Sequence, residues 1–217
     1  MGRHVPHLLV HGDWDDDSLA VTRDQLHHVE KVLRMEAGEE VTYTNGKGTV
    51  GTGVYRDGRI VRDRESTVPR PSPLTLAVAP PTSRDRCRFL VEKLSELGIA
   101  RLIWLSTSRV QGRIPHAGKT AYWAESALEQ SRGGWLIEIG TGLVSWDDLD
   151  RPLVVAVPGG DSEIFEVRTV AIGPEGGLDP GEIPADAATI DLGSTILRVE
   201  TAAVIAASRF SRLWHGG

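Results

Sequence analysis

The chain has 217 residues, of which 40% are apolar and 25% charged. This is globular composition, with enough length for one large domain or two small ones. No apolar run approaches the roughly eighteen residues of a membrane span, and Met1-Gly2-Arg3-His4 lacks the apolar core of a signal peptide. The single cysteine, Cys87, excludes an internal disulfide and fits a reducing, cytoplasmic compartment. The net charge of −6 argues on its face against a nucleic-acid partner, but residues 1–55 carry −4, residues 56–119 carry +7 and residues 120–217 carry −9. A basic middle between acidic ends can mark a polyanion-binding face, or simply a solvated helix and a basic linker; charge alone leaves both open.

In chain order, residues 7–11 read as a short strand and 13–17 as an acidic loop. Thr22-Arg23-Asp24-Gln25 has the form of a capping box, followed by Leu26, Val29 and Leu33 at helical spacing, with the helix ending near Gly38. Strands are expected over 40–44, 49–55 and 59–64, divided by the turn signals Asn45-Gly46 and Asp57-Gly58. Residues 65–73 carry three prolines and read as an extended linker. Beyond it strands alternate with helices: strand 74–79, helix 85–97 stopped by Gly98, strand 102–105, helix 117–131, strands 153–157, 169–172 and 189–192, and helix 200–213. This alternation predicts an α/β domain with a mostly parallel sheet. The last helix is apolar on every side from Ala202 to Ala207. That implies burial on more than one face, either within one chain or against a second copy, with Ala203 and Ala206 as the close-packing positions.

Two strings carry the chemistry. Gly173-Pro174-Glu175-Gly176-Gly177 follows the apolar run Val170-Ala171-Ile172, and Leu192-Gly193-Ser194-Thr195-Ile196-Leu197-Arg198 follows the next strand. Two Gly-rich loops at strand ends predict one pocket, because ligands of α/β sheets bind beyond the carboxyl ends of the strands. Neither string is a dinucleotide fingerprint or a P-loop. Gly176 and Gly177 permit close backbone approach, and Glu175 offers an acceptor to ribose hydroxyls or to backbone N–H groups. Arg198 and Glu200 open a helix of small apolar residues, so each is expected to have a partner or a ligand; a structural Arg–Glu pair is the plainer alternative. Cys87 lies among Arg84, Arg86 and Arg88, which can lower a thiol pKa, although a small helix residue is the simpler reading. The histidines His4, His7 and His11 do not share a strand face, His27-His28 lacks partners at a useful spacing, and they read as surface residues with no metal site.

The strings IGPEGGLDPGEI and LGSTILRVETA, with HHVEKVLRMEAGEEV, RDRCRFLVEKLSELGIARL, STSRVQGR and ALEQSRG, resemble the RsmE family of ribosomal RNA methyltransferases in the SPOUT superfamily, over most of the chain. The resemblance implies a PUA-like β-barrel over residues 1–68 that helps bind RNA, and a SPOUT-type α/β domain with a deep trefoil knot over 73–217. It implies a homodimer, S-adenosylmethionine as cofactor, no metal or membrane, and N3 methylation of one uridine in 16S rRNA of the small ribosomal subunit. By position, Val157, Pro158 and Gly159, then Gly173, Pro174, Glu175, Gly176 and Gly177, then Leu192, Gly193, Ile196 and Leu197 would hold the cofactor. Arg198 would face the methyl-transfer site with Glu200 orienting it, and Arg109 and Arg113 would contact RNA. The chain departs from the family pattern at Thr195, where an arginine is usual, at Arg88, where an acid is common, and at Gln130-Ser131-Arg132-Gly133. Those departures leave two alternatives: a non-catalytic, ribosome-associated RNA-binding relative, and a knotted methyltransferase acting on transfer RNA.

Overall fold

The computed structural model describes residues 5–12, 14, 16–32, 35–161 and 166–211. The chain divides into two compact units, Met1–Arg70 with Leu128–Leu136, and Pro71–Ala127 with Ile137–Gly217. No described helix is long and apolar enough to cross a membrane.

The first unit holds a five-stranded mixed sheet of β1 (His7–Leu9), β2 (Ser18–Ala20), β3 (Glu40–Thr44), β4 (Thr49–Arg56) and β5 (Arg59–Thr67), in the order β1-β3-β4-β5-β2. The β1–β3 pair is parallel and the other pairs are antiparallel. Asp57 and Gly58 both have positive φ, 51° and 77°, which is what a two-residue hairpin turn between right-twisted strands requires. β5 runs three residues into the expected linker, because Thr67 and Ser66 still pair with Thr49 and Val50. The expected capping box forms: the Gln25 N–H donates to Thr22 Oγ1 at 3.2 Å, and the Thr22 N–H donates to Gln25 Oε1 at 3.1 Å. The helix behind it, α1 (Arg23–His27), passes into a π-helical turn over His28–Val32; Leu33 lies outside the described residues. The core gathers Leu8, Val10, Leu19, Val29, Val41, Tyr43, Tyr55 and Ile60. His7 is buried, not a surface residue: its ring nitrogens face Thr42 Oγ1 at 2.8 Å and the Gly133 carbonyl at 3.3 Å. Burial lowers its pKa, so the neutral ring is favoured. His4 lies outside the described residues.

The second unit is built on six parallel strands: β6 (Thr75–Val78), β7 (Arg101–Leu105), β8 (Glu138–Val144), β9 (Leu153–Ala156), β10 (Thr169–Ile172) and β11 (Ala188–Ile190). Their order is β11-β9-β10-β6-β7-β8. β6 and β10 are buried at every position, as strands covered on both faces must be. That explains why they read as unbroken apolar runs. β8 was not legible as a strand: it is an edge, mostly exposed, with two glycines in seven residues. The helices are α2 (Arg84–Glu96), α3 (Ala117–Ser131), whose last residues belong to the first unit, and α4 (Val199–Ser211). α4 packs on α2, β6 and β10. Ala203 and Ala206 are fully buried within this one chain, so they are not the subunit-facing positions. Val204 and Ile205 are half-buried.

Candidate functional site

The chain steps from β9 across to β10 and back to β11, and the residues after all three strands close around one cavity of about 740 Å³. Val157 and Pro158 follow β9. Gly173, Pro174, Glu175, Gly176 and Gly177 follow β10. Leu192, Gly193, Ile196 and Leu197 follow β11, and all eleven residues line the cavity. Gly159 does not line it; its N–H donates to Asp191 Oδ2 at 2.8 Å. The requirement for glycine is sharpest at Gly177, with φ of +74°, whereas a Cβ at Gly176 would meet only the Arg109 stem at an ordinary 3.6 Å. Ile196 is 91% exposed at the rim, and Thr195 also lines the cavity.

Side chains distant in sequence fix the three loops. Asp191 accepts from the Gly159 N–H at 2.8 Å and, through Oδ1, from the Gly193 N–H at 3.0 Å. One carboxylate therefore ties the loop after β9 to the loop after β11. The Gly193 and Gly159 N–H groups hold its pKa below the ordinary range. Glu182 fixes the β10 loop. It accepts from the Ser108 N–H at 2.7 Å, the Ser108 hydroxyl at 3.0 Å and the Asp179 N–H at 2.9 Å. Burial pushes the Glu182 carboxyl up, and these donors more than offset that. Arg109 donates to the Gly176 carbonyl at 2.9 Å and pairs with Asp179. It is thus engaged with the β10 loop while half its side chain stays exposed. Arg113 is exposed next to Gly112, where a Cβ would sit 1.8 Å from the Pro80 carbonyl oxygen.

Arg198 stands exposed just before α4, and its carbonyl accepts the first helical hydrogen bond, from the Ala202 N–H at 2.8 Å. Its guanidinium makes no hydrogen bond or ion pair among the described residues, although its charge is felt at Glu200. Glu200 does not hold Arg198. Its two oxygens accept from Arg86 Nε at 2.9 Å and Nη2 at 2.6 Å, a bidentate pair. The reason is topological: α4 packs on α2, so the inward-facing Glu200 meets α2, while Arg198 precedes the helix and faces solvent. Burial pushes Glu200 up and Arg86 more than cancels that, leaving its pKa below the ordinary range.

Arg86, Asp191, Asp179 and Glu182 were not among the expected site residues. Arg86 was visible only as one of three arginines around Cys87. Cys87 itself is buried, and burial first of all raises its thiol to about 11, so the arginines do not activate it. Arg88 pairs with Glu92 on the exposed side of α2 at 2.6 Å and takes no part in the cavity.

This architecture, a parallel sheet whose loops gather around one cavity at the reversal of strand order, with Arg198 exposed beside it and in no hydrogen bond or ion pair among the described residues, defines a ligand-binding α/β domain. Residues 68–211 match the model of the RNA methyltransferase domain family, and the chain belongs to that family. Within it, the chain is 25% identical over 225 residues to the ribosomal RNA small subunit methyltransferase E of Synechocystis sp., covering 90% of this chain and 73% of the relative. A Legionella pneumophila protein described as a methyltransferase, solved with its cofactor SAM, is 27% identical, with a TM-score of 0.80 over 99% of this chain and 98% of that one. The ribosomal RNA small subunit methyltransferase E of Neisseria gonorrhoeae, solved bound to S-adenosyl methionine, shares the fold with a TM-score of 0.79 at 22% identity, over 97% of this chain and 98% of that one. The resemblance to the RsmE family thus extends along most of the chain.

Proposed function

We propose that the protein is an S-adenosylmethionine-dependent methyltransferase that modifies N3 of a uridine in 16S rRNA of the small ribosomal subunit. The observation that carries this reading is the convergence of three strand-end loops on one cavity in a chain of the RNA methyltransferase family. The residues present fit the cofactor. Apolar side chains such as Val157, Leu178, Leu192 and Leu197 offer walls to an adenine, and glycine-rich backbone offers hydrogen bonds at close range. The ionisable lining residues are all acids, Glu175, Asp179 and Asp191, which suits a ligand bearing a sulfonium and an ammonium. When bound, S-adenosylmethionine supplies an activated methyl group.

The chain's own residues then have orientation and charge to supply. Uracil N3–H is a weak acid, and as its proton leaves, negative charge spreads to the flanking carbonyl oxygens. Arg198, whose guanidinium makes no hydrogen bond or ion pair among the described residues, is placed to stabilise that charge as it develops. A paired N3 edge is hidden in a duplex, so the target base must be unpaired or flipped. The same reading includes a PUA-like barrel over residues 1–68 that binds RNA, a trefoil knot within 73–217, and a homodimer through the outer face of α4, where Val204 and Ile205 remain half-buried.

The test is transfer of labelled methyl from S-adenosylmethionine to small subunits, free 16S rRNA and transfer RNA in parallel. Label on the small subunit or its rRNA supports the reading. Label only on transfer RNA removes the substrate, and no label with cofactor binding intact removes the activity.

A further inference from the structure

We propose that Arg86 is a positioning residue that sets the cofactor loop, acting through Glu175, against the helix that begins beside the catalytic arginine. The inference rests on the reading of the cavity as the cofactor site. Three charged groups from three separate segments meet here. Arg86 comes from the first turn of α2, Glu175 from the loop after β10 and Glu200 from the first turn of α4. The guanidinium gives Nε and Nη2 to Glu200 at 2.9 and 2.6 Å and Nη1 to Glu175 Oε1 at 2.5 Å. A planar fork serves both carboxylates at once, which a lysine ammonium on a flexible stem does not reproduce.

The burial is graded. The Glu200 side chain is 9% exposed, that of Arg86 21% and that of Glu175 37%. The inner pair is the fixed half of the clamp. Glu175, which lines the cavity, is the half that can be released. The hydrogen bonds to Glu200, and after them those to Glu175, hold Arg86 firmly protonated. The inner pair lies two residues from Arg198, so the same guanidinium that fixes the cofactor loop also anchors the first turn of α4. Glu175 therefore shapes the cavity through Arg86, with one oxygen committed to the protein and not to a ribose.

The experiment is a double-mutant cycle with Glu175→Gln, Arg86→Met and both together, read by calorimetric binding of S-adenosylhomocysteine and by hydrogen exchange of the segment 173–178 in the ligand-free protein. Glu175→Gln leaves the inner Arg86–Glu200 pair in place, so the fold is kept. It is expected to weaken binding by about tenfold, the scale of a missing charge-assisted hydrogen bond, and to speed exchange of the loop. With the cofactor concentration varied, it should raise KM for the cofactor by a similar factor. In the Arg86→Met background, Glu175→Gln is expected to add almost nothing, and Arg86→Lys should restore binding only in part. Additive losses would overturn the proposal, since they would mean that Glu175 touches the ligand independently. Unchanged affinity and unchanged exchange in Glu175→Gln would overturn it as well. If Arg86→Met does not fold, the cycle is run with Arg86→Lys. If the wild-type chain binds neither S-adenosylhomocysteine nor S-adenosylmethionine, the cofactor reading fails, and the exchange of 173–178 still decides whether Glu175 clamps the loop.

Discussion

At the scale of single residues, Arg198 and Asp191 make the most exposed claims. Arg198→Ala should leave cofactor affinity nearly unchanged and lower the single-turnover methyl-transfer rate by about a hundredfold or more, the loss seen when one preorganised charge-stabilising donor is removed. A near-wild-type rate would make Arg198 a helix-start residue only. Asp191 accepts from two loop N–H groups, and its pKa is depressed in the folded chain. Its contribution is therefore complete above the unfolded value, about 3.9, and is lost as pH falls through the lower native value. Asp191→Asn should lower the melting temperature near neutrality, and the difference from wild type should shrink below about pH 4. A constant difference across that range would mean the charge is idle. Gly173 to Gly177 and Leu192 to Leu197 were legible because glycine and proline act locally, through φ and close approach. The partners of those loops were not. Asp191 lies 32 residues from Gly159, and Arg86 lies 114 from Glu200, so only the folded topology brings them together.

At the scale of elements, apolar runs and helical spacing located most strands and all three long helices, while edge elements escaped. β8 and β2 are short of the alternating or continuous apolar pattern that marks a strand. α4 shows where composition misleads. Its uniform apolarity made Ala203 and Ala206 plausible neighbours of a second copy, yet both are fully buried in the chain's own core. Ala203→Arg should therefore unfold the protein, costing more than about 3 kcal/mol for a buried unpaired charge, as followed by chemical denaturation. Val204→Arg or Ile205→Arg should instead give a folded monomer in sedimentation. A wild-type chain that sediments as a monomer at micromolar concentration would remove the dimer.

At the scale of the whole molecule, the basic middle of the sequence is less basic in the structure than in the count. Arg59, Arg62, Arg64, Arg86, Arg88, Lys93, Arg101 and Arg109 all sit in ion pairs with carboxylates. The net charge of a segment was legible, and four of these pairs are local, Arg62 with Glu65, Arg64 with Asp63, Arg88 with Glu92 and Lys93 with Glu96, but those of Arg59, Arg86, Arg101 and Arg109 depend on residues the fold brings together. Of the two arginines expected to meet RNA, Arg113 is the one left unpaired among the described residues. Arg113→Glu should weaken RNA binding, reduce the salt slope by about one unit for each phosphate no longer neutralised, and spare cofactor affinity. Arg109→Glu should weaken both RNA and cofactor binding, because Arg109 also holds the Gly176 carbonyl and Asp179. Equal cofactor affinity in the two variants would sever Arg109 from the loop. Methyl transfer to uridine N3 is tested most directly by nucleoside mass spectrometry of 16S rRNA, after incubation of small subunits with the protein and methyl-labelled S-adenosylmethionine. The predicted result is labelled 3-methyluridine at a single position, abolished or nearly so by Arg198→Ala. Label on a ribose, on another base, or on no nucleoside of the small subunit would contradict it.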